Sequence, residues 1–428
     1  MSQSLFSKTM QRTKEKVCQM LKAYKYRIYP NNDQESLLQQ TFGCTRWMYN
    51  RLLSDNNEEY KTNKKSKINT PAKYKKEFEW LKDVDSMALC NAQMQLQSAF
   101  SNFFRRLKEG KKGNKLGFPK FRSKHSGKKS YTTNCIKNSI RIENKKLKLP
   151  KLGLINIVLH RYCVGQIKSA TVTQNPNRKY YVSILTEQPS TLTQRDSTAE
   201  KIIGIDMSMS NCAVLSDGTK AKFQRFYRLS EKRLAKAQRR ISRKVKGSNN
   251  RDKAKIKAAN IHEKTSNQRK DFINKLSYRL AENYDIIVIE DINLSDMAGA
   301  LKLGKSVHDI GFGMLRIQLE YKLKDRLKTL IKADKWFASS QLCSICGYKN
   351  VRTKDLSVRE WDCPKCKTHH DRDVNAGQNL VNWYKNTVAQ TGIYAHEEPT
   401  SASLVTSKVS QFVEVRKVAK QDLASPCL

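Results

Sequence analysis

The chain has 428 residues, with 82 lysines and arginines against 39 acidic residues, a formal net charge of +43. Only 38% of it is apolar, and glycine (17) and proline (9) are scarce, which argues against a compact neutral enzyme or a low-complexity chain. Composition points instead to a helix-rich protein of two or three domains that neutralises itself against a polyanion, nucleic acid above all.

No run approaches the roughly 20 apolar residues of a membrane span. The first twenty residues are charged throughout and lack an apolar core, so no secretory signal is expected. Met20 followed by LKAYKYRIYP makes a plausible alternative start, and residues 1–20 read as an N-terminal extension. Residues 23–30 (AYKYRIYP) alternate apolar and basic residues, the period of a half-buried strand. From Asn32 to about Gly110 apolar residues recur three and four apart, as in helices. Short strands return from Leu116 to about Glu187, giving a small β domain with a helical insertion. The polar stretch EQPSTLTQRDSTAEK reads as a linker.

A second pattern starts at Lys201. KIIGIDMS and CAVLSDG predict two strands joined by a tight turn, followed by basic helices from about Leu229 to Asn283. DIIVIED suits a strand buried on both faces. A helix over roughly Gly313–Lys332 is expected next, then a cysteine cluster, then a final helix in DRDVNAGQNLVNWYKN. This is an α/β ordering. Residues after about Thr387 show no periodicity.

Eleven cysteines in a chain without a signal are not a disulfide framework. Four are spaced as two Cys-x-x-Cys knuckles, Cys343/Cys346 and Cys363/Cys366, which fits a tetrahedral four-thiolate zinc ribbon. With all four positions taken by sulfur the zinc is expected to be structural; a redox dithiol pair is the competing reading. The intervening KNVRTKDLSVREW is expected to form the ribbon hairpin, with His369 and His370 outside the ligand set. Asp206 and Glu290 each close an apolar strand, where a carboxylate costs desolvation energy unless a cation pairs with it. Asp371 and Asp373 open the last helix. Three carboxylates from separate elements suit two Mg²⁺ ions acting on a phosphodiester, and strand alternation favours Glu290 over its neighbour Asp291. Phe103, Phe104, Phe118 and Phe121 lie among Arg105, Arg106, Lys115, Lys120 and Arg122, a pattern that fits either a nucleic-acid surface or a core with a solvated rim.

Taken together, YKYRIYP, FGCTRWMYN, AFSNFF, GFPKFRS, IGIDMSMSNCAVLSDGT, IIVIEDINLSDM, SSQLCSICGYKN and REWDCPKCKTHHDRDVNAGQNL resemble the TnpB proteins, in collinear order over about residues 21–383. TnpB proteins are transposon-encoded RNA-guided DNA endonucleases related to type V CRISPR effectors. The resemblance implies an α/β multi-domain chain. A wedge β-barrel domain at 21–190 would carry a helical recognition insertion at about 32–112. A linker at 191–200 would follow, then a RuvC-like nuclease domain of RNase H fold at 201–383 with a zinc ribbon at about 338–370, and a tail at 384–428. It assigns the catalytic, Mg²⁺-binding acids to Asp206, Glu290 and Asp373 and the zinc ligands to Cys343, Cys346, Cys363 and Cys366. The partners it implies are a guide RNA derived from the transposon end and double-stranded target DNA cut beside a short motif, in the cytoplasm and at the nucleoid. Ser86, Asn91 and Gln93 fall in the segment expected to read that motif. Arg105, Arg106, Lys120, Arg122, Arg239 and Arg240 are expected to hold nucleic acid. Four positions depart from the family pattern: Met207-Ser208 after GID, Lys367 where glycine is common, and Gly377 where alanine is common. Two other readings stay open, a non-cleaving RNA-guided repressor or accessory protein and a transposase that joins DNA ends itself.

Overall fold

A computed structural model describes residues 19–63, 68–110, 117–124, 129–189, 200–208, 211–293, 304–334, 337–355 and 357–391. They divide into two compact units, one built from Met1–Thr191 with Leu234–Ile261 and the other from Leu192–Arg233 with His262–Leu428.

The first unit is organised on a seven-stranded antiparallel sheet. Its strands are β1 (Gln19–Tyr29), β2 (Lys129–Asn134), β3 (Arg141–Glu143), β4 (Lys146–Leu149), β5 (Gly153–Val158), β6 (Gln166–Gln174) and β7 (Tyr180–Pro189), in the order β2-β6-β7-β1-β5-β4-β3. Alternation decides what is buried: Tyr24, Tyr26 and Ile28 of β1 face the core with Val182 and Ile184 of β7 and Val172 of β6. Strand β1 begins at Gln19, earlier than the sequence pattern suggested, because Gln19 and Met20 pair with Pro189 and Gln188.

The barrel expected from the resemblance is an open half-barrel: among the described residues β2 and β3 are edges, not partners. Helices do the covering instead. Leu38 and Phe42 of α1 (Asn32–Asn63) and Ala88 of α3 (Ser86–Lys108) enter the sheet's own core. A second cluster, with Met48, Leu52, Leu89 and Leu96 fully buried, joins α1 and α3 to the short α2 (Pro71–Glu77). Asp85 caps α3 by accepting from the Met87 N–H.

The second unit has a five-stranded sheet of β8 (Ile202–Asp206), β9 (Ala213–Leu215), β10 (Lys220–Ala221), β11 (Ile286–Glu290) and β12 (Thr329–Ala333), in the order β10-β9-β8-β11-β12. The first three strands pair antiparallel, and β8, β11 and β12 run parallel. Between β10 and β11 in the chain run the basic helices α4 (Phe226–Ser242) and α5 (Asn249–Asn283), of which the stretch Leu234–Ile261 belongs to the first unit. Between β11 and β12 lie α6 (Gly304–Ile310) and α7 (Phe312–Lys324). Apolar residues of α5, α6 and α7 bury one face of the sheet, and Leu380 and Tyr384 of α8 (Arg372–Thr391) cover Ile286 and Val288 on the other.

One predicted helix is wrong at its end. The helix expected to reach Lys332 stops at Lys324, and Thr329–Ala333 is strand β12, in register with β11 from Ile286↔Thr329 to Glu290↔Ala333. The stop is a Schellman turn in which the Lys328 N–H reaches the Leu323 carbonyl at 2.9 Å and Leu327 takes a left-handed φ of +54°. Leucine where glycine is usual hides that signal in the sequence.

Candidate functional site

Strands β8 and β11 lie side by side with Ile205 opposite Ile289, so Asp206 and Glu290 occupy the next positions, at the carboxyl ends of neighbouring parallel strands. Adjacent strands stand about 4.8 Å apart, and in open α/β sheets this is the end that binds ligands. Asp373 reaches the same end from the first turn of α8. That helix comes close because Gly204 of β8 and Gly377 of α8 lack side chains: a Cβ on Gly204 would collide with the Gly377 carbonyl oxygen.

The charge balance marks the three acids as one group. Burial, then the charges of Glu290 and Asp373, push the Asp206 carboxyl well above the usual carboxylate range, against the opposing pull of Arg372 and Arg359. Burial also raises Glu290, opposed by the Ser339 hydroxyl and by Arg372. The Ser208 hydroxyl donates to Asp373 Oδ2 at 2.9 Å, and Arg359 lies 3.5 Å from Asp373 Oδ1. Oxygen donors whose negative charge the protein only partly balances fit a hard divalent cation such as Mg²⁺. The acids stand apart more than the cysteines do: among the described residues, only the cysteine group brings three or more such ligand atoms all within 4.8 Å of one another.

The neighbouring acids have other work. Asp371 caps α8, accepting from the Asp373 and Val374 N–H groups, and pairs with Lys220 at 2.6 Å, which with those bonds holds its carboxyl low. Asp291 is exposed and pairs with Arg316 at 3.4 Å.

The four cysteines converge, with Cys343 and Cys366 sulfurs 3.6 Å apart and Cys346 and Cys363 likewise 3.6 Å. A zinc tetrahedron with 2.3 Å bonds has edges of about 3.8 Å, so the cluster fits zinc. Both knuckles are built alike: Cys343 N–H donates to Tyr348 O and Gly347 N–H to Cys343 O, while Cys363 N–H donates to Thr368 O and Lys367 N–H to Cys363 O. The expected hairpin across 349–361 is absent among its described residues. Instead each knuckle carries its own small pairing, Leu342 with Lys349, and β13 (Glu360–Asp362) with β14 (His369–Asp371), because the tight turns themselves set antiparallel register. The Thr368 hydroxyl and N–H hold the Cys366 thiol down to about 6, favouring thiolate. His370 is buried beside Cys343 Sγ at 3.1 Å and against the Trp361 ring; His369 is exposed and bonds Asp362.

In the first unit, Arg122 lies over the Tyr49 ring at 3.7 Å and shares a cleft of about 360 Å³ with Arg46, Gln95, Lys124 and Lys129. Burial first, then repulsion from Arg46, Lys124 and Arg178, lowers the Lys129 ammonium, so the cleft gains by taking an anion. Phe104, Phe118 and Phe121 are exposed, with Arg105 and Lys120 also at the surface and Arg106 partly covered; Lys115 lies outside the described residues. Of the residues expected to read bases, Ser86 is exposed at the start of α3 and Gln93 half-buried, whereas Asn91 is buried and donates to the Met87 carbonyl and to Asn134. Arg239 and Arg240 are exposed on α4. Sequence reasoning missed Ser208, Ser339, Arg359 and Arg372. A serine two residues past Asp206 was visible, but its reach to Asp373 needs the folded helix.

A profile described as "Probable transposase" matches residues 181–301, and one described as "Cas12f1-like, TNB domain" matches 312–380. A "Helix-turn-helix domain" profile matches 20–65, which here is β1 and α1. A Streptomyces pristinaespiralis protein named "Putative RNA-guided DNA endonuclease" is 35% identical over 376 residues, 85% of this chain and 89% of its own. The chain belongs to the TnpB family. A second relative, InsQ of Escherichia coli K12 with the same descriptive name, is 29% identical over 90% of this chain and 99% of its own. The TnpB-family chain also shares its fold with the protein in a cryo-EM Cas12f1–sgRNA–target DNA complex, at a TM-score of 0.50 and 13% identity, covering 85% of this chain and 98% of that one. Among its described residues no helix is long and apolar enough to cross a membrane.

Proposed function

We propose that this protein is an RNA-guided, Mg²⁺-dependent DNA endonuclease whose second unit is a RuvC-like nuclease domain of RNase H fold with a structural zinc ribbon. The observation that carries the reading is that Asp206 and Glu290 close neighbouring parallel strands and that the charges of Glu290 and Asp373 help push the Asp206 carboxyl up. The strand order β10-β9-β8-β11-β12, three antiparallel followed by two parallel, supports the fold assignment. The names of the relatives and the RNA–DNA complex of the structural neighbour support the substrate.

The three carboxylates would hold two Mg²⁺ ions, which when bound supply an activated water and charge stabilisation for phosphodiester hydrolysis. The protein's own groups do the rest. Asp206 and Glu290 present oxygens from rigid strand ends, and Asp373 does so from a capped helix. Ser208 and Ser339 donate to Asp373 and Glu290, fixing which oxygens point inward. Arg359 and Arg372 carry positive charge beside the acids, suited to the incoming phosphate. Cations of the first unit, Arg46, Arg105, Arg106, Lys120, Arg122, Lys124, Arg239 and Arg240, would hold the guide–target heteroduplex by its backbone, leaving sequence choice to base pairing. Ser86 and Gln93 remain the candidates for reading a motif beside the target, and the guide would come from the transposon end.

The test is to purify the full chain with its RNA, sequence that RNA, and replace its guide portion. The cut in a plasmid should follow the new guide and require Mg²⁺. Cleavage that ignores the guide, or a complex that binds the matched site and never cuts, would contradict the reading; the latter outcome is the non-cleaving repressor.

A further inference from the structure

The segment Ser339–Ser344 enters the first zinc knuckle, and α8 grips it with four side-chain amides, two of them buried. Asn379 Nδ2 donates to the Ser339 and Leu342 carbonyls, both at 2.7 Å. Asn375 Nδ2 donates to Leu342 O at 2.7 Å, and its Oδ1 accepts from the Ser344 N–H at 2.9 Å. Gln378 accepts from the Ser344 hydroxyl at 2.8 Å, and Asn382 donates to the Ser344 carbonyl at 2.9 Å. These four residues fall on one face of the helix, at the three- and four-residue spacing that lines up side chains. Asn375 and Asn379 are 1% and 4% exposed, so each lost partner leaves a buried polar group unsatisfied.

Both ends of this arrangement touch the carboxylate site. Asp373 lies two residues before Asn375 on the gripping helix. At the other end, Ser339, itself 2% exposed, donates its hydroxyl to Glu290 Oε1. Cys343 sits inside the gripped segment, between Leu342 and Ser344. The peptide that places a zinc ligand is therefore the same peptide that fixes the rotamer of an acid.

We propose that Ser339 is a positioning residue for Glu290, held in place by the α8 amides, so that the knuckle and the carboxylate site order one another. This rests on the reading of Asp206, Glu290 and Asp373 as a divalent-cation site. Groups that orient a metal's ligands typically change affinity about 10–100-fold when removed, whereas a purely architectural serine changes stability alone.

The test measures Mn²⁺ binding to the full chain by the electron-paramagnetic signal of the free ion, with melting temperature and zinc content in parallel. Ser339→Ala should weaken Mn²⁺ binding about tenfold or more, and Ser339→Thr, which restores the hydroxyl, should recover it. Ser357→Ala, which removes an exposed hydroxyl outside the gripped segment, should bind as wild type does. The near-isosteric Ser339→Cys, with a weaker donor, runs alongside in case the alanine variant does not fold, and should also bind more weakly. Wild-type affinity in Ser339→Ala or Ser339→Cys, with binding still abolished by Asp206→Ala, overturns the positioning role and leaves the acid site standing. Equal weakening in Ser357→Ala overturns it as well. Wild-type protein showing no Mn²⁺ binding that Asp206→Ala removes overturns the acid-site reading itself.

Discussion

Two residues show what single side chains cost this fold. Lys367 closes the second knuckle at a left-handed φ of +60°, where Gly347 serves the first at +73°. A non-glycine residue there is strained by about 1 kcal/mol or more. Lys367→Gly should therefore stabilise the protein by about 1 kcal/mol in urea denaturation; an unchanged or lower midpoint contradicts this account of the knuckle. Lys322 on α7 is 7% exposed and donates to Asn274 O, Asn274 Oδ1 and Ser277 Oγ, each at 2.8 Å. Burial first, then Arg326, pushes its ammonium down to about 8. Between pH 8 and roughly 10.4, the ordinary lysine value, the unfolded chain binds this proton and the folded chain sheds it, so this group makes stability rise with pH. Wild type should accordingly gain stability relative to Lys322→Met as pH goes from 8 to 10. A difference between the two that does not change with pH refutes the assignment.

Elements were legible where local pattern and tertiary demand agree. IIGID and IIVIE read as buried strands because they are buried, and the two Cys-x-x-Cys knuckles read as one site because their turns are local. Three features were hidden. Strand β12 follows a Schellman turn whose left-handed residue is Leu327, so nothing in the sequence marks the helix end. The open edge of the first sheet depends on α1 and α3 supplying its cover, a long-range event. The partners of Glu290 and Asp373 depend on how α8 docks. That docking makes a prediction at this scale: Gly204 and Gly377 let β8 and α8 touch backbone to backbone. Gly204→Ala drives a methyl into a buried carbonyl and should cost about 3 kcal/mol of stability, read as a lowered urea midpoint. A midpoint equal to wild type means the helix stands further off than described.

Across the whole molecule, a charge of +43 and a group of partly balanced carboxylates would divide the proposed labour. Cations distributed over the first unit suit holding a polyanion through its backbone, and the acids of the second unit suit cutting it. Composition announced the first task and spacing the second, but neither could say that Asp371 caps a helix while Asp373 joins the site; that choice is made by two backbone N–H groups and Lys220. Cleavage and binding should separate, since Asp206 sits at a strand end of the second unit while the basic cleft is built from residues of the first. The most direct measurement is therefore cleavage and binding of a guide-matched DNA by the RNA-loaded protein with Asp206→Ala, in Mg²⁺. The variant should bind RNA and DNA as wild type does and leave the DNA uncut; cutting at the guided position would mean that Asp206 is no part of the site.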